Sequence, residues 1–137
     1  QNLSPIIYGD GSQRRSYNYA KDTARGTADT LFSDKTSTQI INIGNSNEPI
    51  TLIDLAQKII QLAGKEDSLE VEVKNSFEET DRNKNREIFQ RFCDTSKAKE
   101  LIQYESLINL DNGIEEIMKI GSFQSTWITS EKDYLID

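Results

Sequence analysis

Apolar residues in this chain come in short bursts whose spacing alternates between the periods of strands and helices. Pro5 to Tyr8 is a short apolar run that opens into glycines, and Arg15 to Tyr19 alternates in the manner of a second strand. Ala24, Thr27, Ala28, Leu31 and Phe32 then recur at helical spacing, which predicts an amphipathic helix from about Thr23 to Phe32 with Asp22 as its N-cap. The polar stretch Ser33 to Thr38 ends it.

Gln39 to Ile43 is rich in β-branched residues and runs into Gly44-Asn45-Ser46-Asn47, which predicts a strand followed by a turn. Thr51, with Asp54 three residues on, is close to a capping box. Leu52, Leu55, Ala56, Ile59, Leu62 and Ala63 behind it mark a helix, closed by Gly64 at the position where a left-handed residue ends a helix. Leu69 to Val73 alternates apolar and acidic residues, as a half-exposed strand does. Glu78 to Arg86 is dense in charge and has no apolar anchor, so it reads as a loop that is either solvated or facing a ligand. Ile88 to Cys93 resumes strand character, Asp94 caps a short helix through Ile102, and Leu110 to Ile120 forms a last helix with Ile114, Ile117 and Met118 on one side. Ser122 to Asp137 shows no period despite Phe123, Trp127 and Tyr134. The chain therefore divides into a structured portion, residues 1–121, and an irregular tail, residues 122–137.

Composition sharpens this picture in one respect. Of the 137 residues only 35% are hydrophobic and 28% are charged, which predicts a thin core or one completed by something outside the chain. The formal net charge of −7 argues against nucleic acid as a partner, because affinity for a phosphate backbone comes from dense Lys and Arg. Cys93 is the single cysteine, so no internal disulfide is expected, and the absence of histidine removes Ser-His-Asp and Cys-His catalysis. A zinc site would have to be built from carboxylates and one thiol, and none is expected. No apolar run reaches the ~20 residues of a membrane span, and no signal-peptide pattern opens the chain. A cytoplasmic protein with no membrane partner is the expectation.

Candidate chemistry concentrates in Tyr8 to Asp22, YGDGSQRRSYNYAKD. Gly9 and Gly11 let the backbone turn tightly and deliver Arg14 and Arg15 into the following strand, where a guanidinium fork offers fixed donors to phosphate oxygens. The block resembles the one that grips the nucleotide diphosphate in the extended short-chain dehydrogenase/reductase family of sugar-nucleotide epimerases and dehydratases. That pattern maps here without a gap and places Arg15 on the family arginine, Tyr19 on the tyrosine and Asp22 on the closing aspartate. Three further blocks are similar to the same family and occur in the same order: Ile41-Asn42-Ile43-Gly44 with the Thr51 helix, Asp94-Thr95-Ser96-Lys97-Ala98-Lys99, and Leu110 with Gly113-Ile114.

The resemblance implies an α/β fold, the C-terminal sugar-nucleotide-binding portion of such an enzyme, with a few short strands, about four helices and no Rossmann core. It implies that Arg15 binds the diphosphate of a UDP, TDP or GDP sugar, that Tyr8 passes the nucleobase and that Gln13 neighbours the ligand. A second arginine from the loop before the Asp94 helix would close on the diphosphate. Arg82 and Arg86 both qualify, while Arg91 reads as a residue of the strand surface. Asn42 and Asp94 read as structural, holding a turn and capping a helix.

The family cofactor, NAD, transiently oxidises a sugar hydroxyl so that the ketone permits inversion, elimination or decarboxylation. No Gly-x-x-Gly-x-x-Gly follows a first strand here, so the resemblance implies that NAD is bound by a dinucleotide domain outside this chain, the chain alone being inactive. Tyr17-x-x-x-Lys21 has the spacing of the catalytic pair of the superfamily but aligns with a strand, where residues four apart are ~13 Å from one another. No catalytic residue is therefore assigned. The competing expectation is a non-catalytic interaction or scaffold domain that kept the fold and lost the ligand.

Overall fold

The computed structural model describes residues 3–74 and 88–119. Strand β1 (Ile6–Tyr8) pairs in parallel with β4 (Glu72–Lys74), with Ile6 beside Glu72 and Tyr8 beside Lys74. Between them the chain makes helix α1 (Ala20–Phe32), a short 3-10 turn (Asp34–Thr36) and helix α2 (Leu52–Leu62). A second sheet has the order β3-β2-β5, in which β2 (Arg14–Arg15) lies antiparallel to β3 (Ile50–Thr51) and parallel to β5 (Gln90–Arg91). Helices α3 (Ser96–Ile102) and α4 (Leu110–Lys119) follow. The α/β class and the four helices agree with the sequence pattern.

Helix α2 forms where its signals place it. The Thr51 hydroxyl accepts the Asp54 amide at 3.0 Å, satisfying one orphan donor of the first turn. At the other end Gly64 takes a φ of +61°, its amide donating to the Gln61 carbonyl at 2.9 Å and that of Lys65 to the Ile60 carbonyl at 3.1 Å. This double bond is the Schellman closure, and glycine suits it because a side chain is strained at positive φ. The helix buries Ala56 and Ile60.

Helix α1 departs from expectation in three ways. It begins at Ala20, earlier than the spacing predicts, and Asp22 is not its N-cap but a buried residue of its first turn, 3% exposed. The Asp22 carboxylate accepts the amides of Leu107 and Ile108, each at 2.9 Å, the Ser106 hydroxyl at 3.2 Å and the Arg25 guanidinium at 3.1 Å. Its donors come from the connection between α3 and α4, so the acid that would cap its own helix instead anchors a segment some eighty-five residues away. The third departure follows from this. Gly26 turns inward against the fully buried Tyr104 ring, where an added Cβ would stand 2.5 Å from Cε2, and the apolar stripe faces out, leaving Leu31 76% and Phe32 84% exposed.

The other strands are shorter than predicted or missing. Gln39 to Ile43 makes no ladder: the Gln39 amide turns back to the Thr36 carbonyl at 3.0 Å, the Asn42 side chain donates to the Asp94 carbonyl at 3.0 Å, and Ile40 is 88% exposed. A β-branched run becomes a strand only beside another strand, and none lies beside it among the described residues. The expected strand Arg15 to Tyr19 is confined to Arg14–Arg15, and Ile88 to Cys93 to Gln90–Arg91, because β2, β3 and β5 match one another over two residues each. Leu69 to Val73 pairs only from Glu72 to Lys74. The tail, residues 122–137, lies outside the described residues. Among the described residues no helix is long and apolar enough to cross a membrane.

Burial alone would raise the Asp22 pKa, but the Ile108 amide, Arg25, the Leu107 amide and Ser106 together hold it below the usual 3.8. Its contribution is therefore complete above pH 3.8 and is lost as pH falls through the lower folded value. Asp22→Ala should cost about 3 kcal/mol at neutral pH, since it strips a charged acceptor from several buried donors. Thermal melts taken from neutral pH downward should show the deficit shrinking in acid, and a deficit independent of pH would contradict this account.

Candidate functional site

The glycine turn is fastened on three sides. Gly9 and Gly11 take φ of +83° and +69°, and Asp10 accepts both the amide and the hydroxyl of Ser12, at 2.9 and 2.7 Å, to close the bend. The Gly9 amide reaches the Lys74 carbonyl of β4 at 2.8 Å, and the Leu52 amide at the start of α2 lies 3.2 Å from the carbonyls of both Gly11 and Gln13. A Cβ on Gly11 would collide with the Ile53 side chain. Glycine is needed there for both conformation and space.

This fastened turn feeds β2, the middle strand of its sheet, and so gives both arginines a rigid support. Arg14 is exposed and donates to the Pro49 carbonyl at 3.2 Å. Arg15, half-buried, points to the opposite face, since successive strand residues alternate. Its guanidinium donates to the Arg14 carbonyl at 2.9 Å and makes further interactions within the chain. Gln13 precedes them and is 1% exposed, and its carboxamide oxygen is buried with no donor. Tyr8 ends β1, half-buried, with the Lys74 ammonium 5.8 Å from its ring centroid. Arg82 and Arg86 lie outside the described residues.

Arg91 is the residue that the sequence pattern undervalues. It is the register partner of Arg15 across the parallel β2-β5 pair, so the two side chains leave the sheet on one face from strands about 4.8 Å apart. An arginine in each of two predicted strands was the available signal, but which strands become neighbours is a long-range fact that spacing does not carry.

The remaining candidates are placed as follows. Tyr17 lies in the segment before α1 and Lys21 in its first turn, and the Lys21 ammonium stands 5.8 Å from the ring of Tyr19. Asp94 accepts the Ser96 amide at 2.8 Å, and hydrogen bonds from the Ser96 side chain and backbone hold its pKa below the usual value. An apolar groove of about 280 Å³ runs between α2, α4 and Tyr17, lined by Leu55, Ile59, Ile114 and Ile117 among others; neither Arg15 nor Gln13 lines it. No cluster among the described residues has the acids and thiols to hold a metal. The glycine turn also does not fit a dinucleotide: it opens into strand β2, whereas a dinucleotide pyrophosphate needs the turn to open into a helix N-terminus.

Known proteins resemble the chain over most of its length. Residues 1–117 match the protein-family model described as GDP-mannose 4,6 dehydratase. A UDP-glucuronate 4-epimerase from Thermodesulfobacterium geofontis is 31% identical over 109 residues, which is 80% of this chain and 30% of that protein. A UDP-N-acetyl-alpha-D-glucosaminuronate decarboxylase from Bacillus cytotoxicus is 30% identical over 114 residues, 83% of this chain and 34% of that protein. In three dimensions the chain is similar to the Bacillus cereus UDP-glucuronic acid 4-epimerase solved with UDP-glucuronic acid and NAD, with a TM-score of 0.67 and 27% identity, covering 88% of this chain and 37% of that one. The chain thus spans about a third of the length of the curated relatives it matches.

The unpaired Gln13 oxygen carries a test of its own. Because a buried acceptor without a donor costs about 1–3 kcal/mol, Gln13→Leu should raise the stability of the ligand-free protein by about 1 kcal/mol. Chemical denaturation measures this directly, and a loss of stability would mean that the carboxamide is well satisfied where it sits.

Proposed function

The chain belongs to the extended short-chain dehydrogenase/reductase family of nucleotide-sugar epimerases and dehydratases, and from that premise we propose that it binds the nucleotide diphosphate of a sugar nucleotide. In this reading it is the substrate half of an NAD-dependent epimerase or dehydratase. The observation that carries the proposal is the placing of Arg15 on the central strand of a sheet, immediately after a glycine turn fastened to α2 and β4. Charge-assisted bonds from a guanidinium fork to two phosphate oxygens supply orientation as well as affinity.

Arg82 or Arg86 closes on the diphosphate from the loop before β5, with Tyr8 and Gln13 beside the ligand. The residues of this chain orient the substrate, and the redox chemistry belongs to NAD held by a dinucleotide domain outside it. The uncovered apolar side chains Leu31, Phe32 and Ile40 favour such a partner, because large exposed apolar side chains in a chain this lean are best explained by contact with another domain. The nucleotide sugar, UDP, TDP or GDP in type, and that domain are thus the proposed partners.

Calorimetric titration of UDP, TDP and GDP sugars into wild type and Arg15→Ala tests the proposal. One nucleotide sugar should bind wild type, and the variant should bind it roughly ten- to a hundredfold more weakly, the value of one charged hydrogen-bonding group. Equal heats for both proteins, or none for either, would favour the scaffold reading instead. NAD titrated into this chain alone should give no heat.

A further inference from the structure

We propose that Arg91 is a second arginine of the anion site and holds the phosphate distal to the nucleoside, an assignment that rests on the diphosphate reading of Arg15. The observation is the register of the β2-β5 pair, which sets Arg91 directly beside Arg15 with both side chains on the same face.

Like charges directly opposite one another in a sheet are destabilising. Every pairing of β5 is with β2, through the two register pairs and the bond from the Arg14 amide to the Phe89 carbonyl at 2.7 Å. The sheet therefore spends its shortest strand on bringing two cations together. Among the described residues Arg91 is exposed and its side chain has no hydrogen-bond or ion-pair partner. Acids are abundant in this chain of net charge −7, yet the nearest described one along the sequence, Asp94, is already committed to the Ser96 amide. An anion bridging the two guanidiniums turns the repulsion into two charge-assisted contacts.

The spacing suits a diphosphate. Adjacent strands stand about 4.8 Å apart, so two forks rising from neighbouring strands meet two linked phosphate groups more naturally than one. Arg15 follows the glycine turn and takes the proximal phosphate, and Arg91, at the sheet edge, takes the distal one.

The experiment compares the nucleoside diphosphate with the monophosphate of whichever base the wild type prefers among uridine, thymidine and guanosine, titrated into wild type, Arg15→Ala, Arg91→Ala and Arg91→Lys. Arg91→Ala should weaken the diphosphate roughly tenfold and leave the monophosphate within about twofold, while Arg91→Lys recovers part of the loss. The ligand-free Arg91→Ala protein should melt no lower than wild type, since the substitution removes a repulsion. If Arg15→Ala weakens the diphosphate and Arg91→Ala does not, the Arg91 assignment is overturned and the Arg15 reading stands. Equal weakening of mono- and diphosphate by Arg91→Ala would overturn the assignment to the distal phosphate. Absence of wild-type binding to every nucleotide would end both readings together.

Discussion

The Asp22 carboxylate is the joint on which this fold turns. Four donors from Arg25 and from the Ser106 to Ile108 connection converge on it, tying α1 to the approach of α4. Its weight comes from how little else is buried: among the described residues the fully buried apolar side chains are Ala56, Ile60, Ala98 and Tyr104. Three of these are small or medium, and Tyr104 itself needs the hydroxyl bond from the Asn18 side chain at 3.1 Å. A second carboxylate works the same way, Glu48 accepting from the Asn45 side chain at 2.9 Å and from the Leu110 amide that begins α4 at 3.1 Å. Buried carboxylates that gather amides from distant segments give register where a lean core cannot, so the architecture is specified by polar closure as much as by apolar packing.

Legibility in the sequence followed the range of the interactions involved. Helix α2 was readable because its cap, its apolar face and its closing glycine all lie within fifteen residues of one another. Helix α1 was readable as a helix but not as an oriented one. Its apolar spacing pointed Leu31 and Phe32 inward, and the long-range partners of Asp22 and Gly26 turned it the other way. The candidate site divides similarly. The glycine turn and Arg15 are local and were visible, whereas the companionship of Arg15 and Arg91 depends on a pairing between strands some seventy-five residues apart.

The segment Gln39 to Ile43 shows the same limit from the opposite side. Its composition is that of a strand, and it remains outside any ladder because strand formation is a property of pairs. Ile40, Leu31 and Phe32 are therefore exposed for one common reason: the pattern that placed them was written for neighbours that the described residues do not include. The thin core inferred from composition and the uncovered faces seen in the structure are two measures of a single deficit, which the proposed partner domain would fill.

Substrate positioning requires stiffness in the parts that touch the ligand, and this chain places its stiffness accordingly. The turn from Gly9 to Ser12 is held by side-chain bonds within itself and by backbone bonds to both β4 and α2, while the apolar faces away from it stay bare. A guanidinium on such a support needs little reorganisation when an anion arrives, which is how fixed donors gain over flexible ones. The same support explains why the cation pair is tolerated at all. Repulsion between Arg15 and Arg91 acts on side chains at a partly exposed surface, where solvent screens it, and the backbone bonds that hold β2 and β5 together outweigh it.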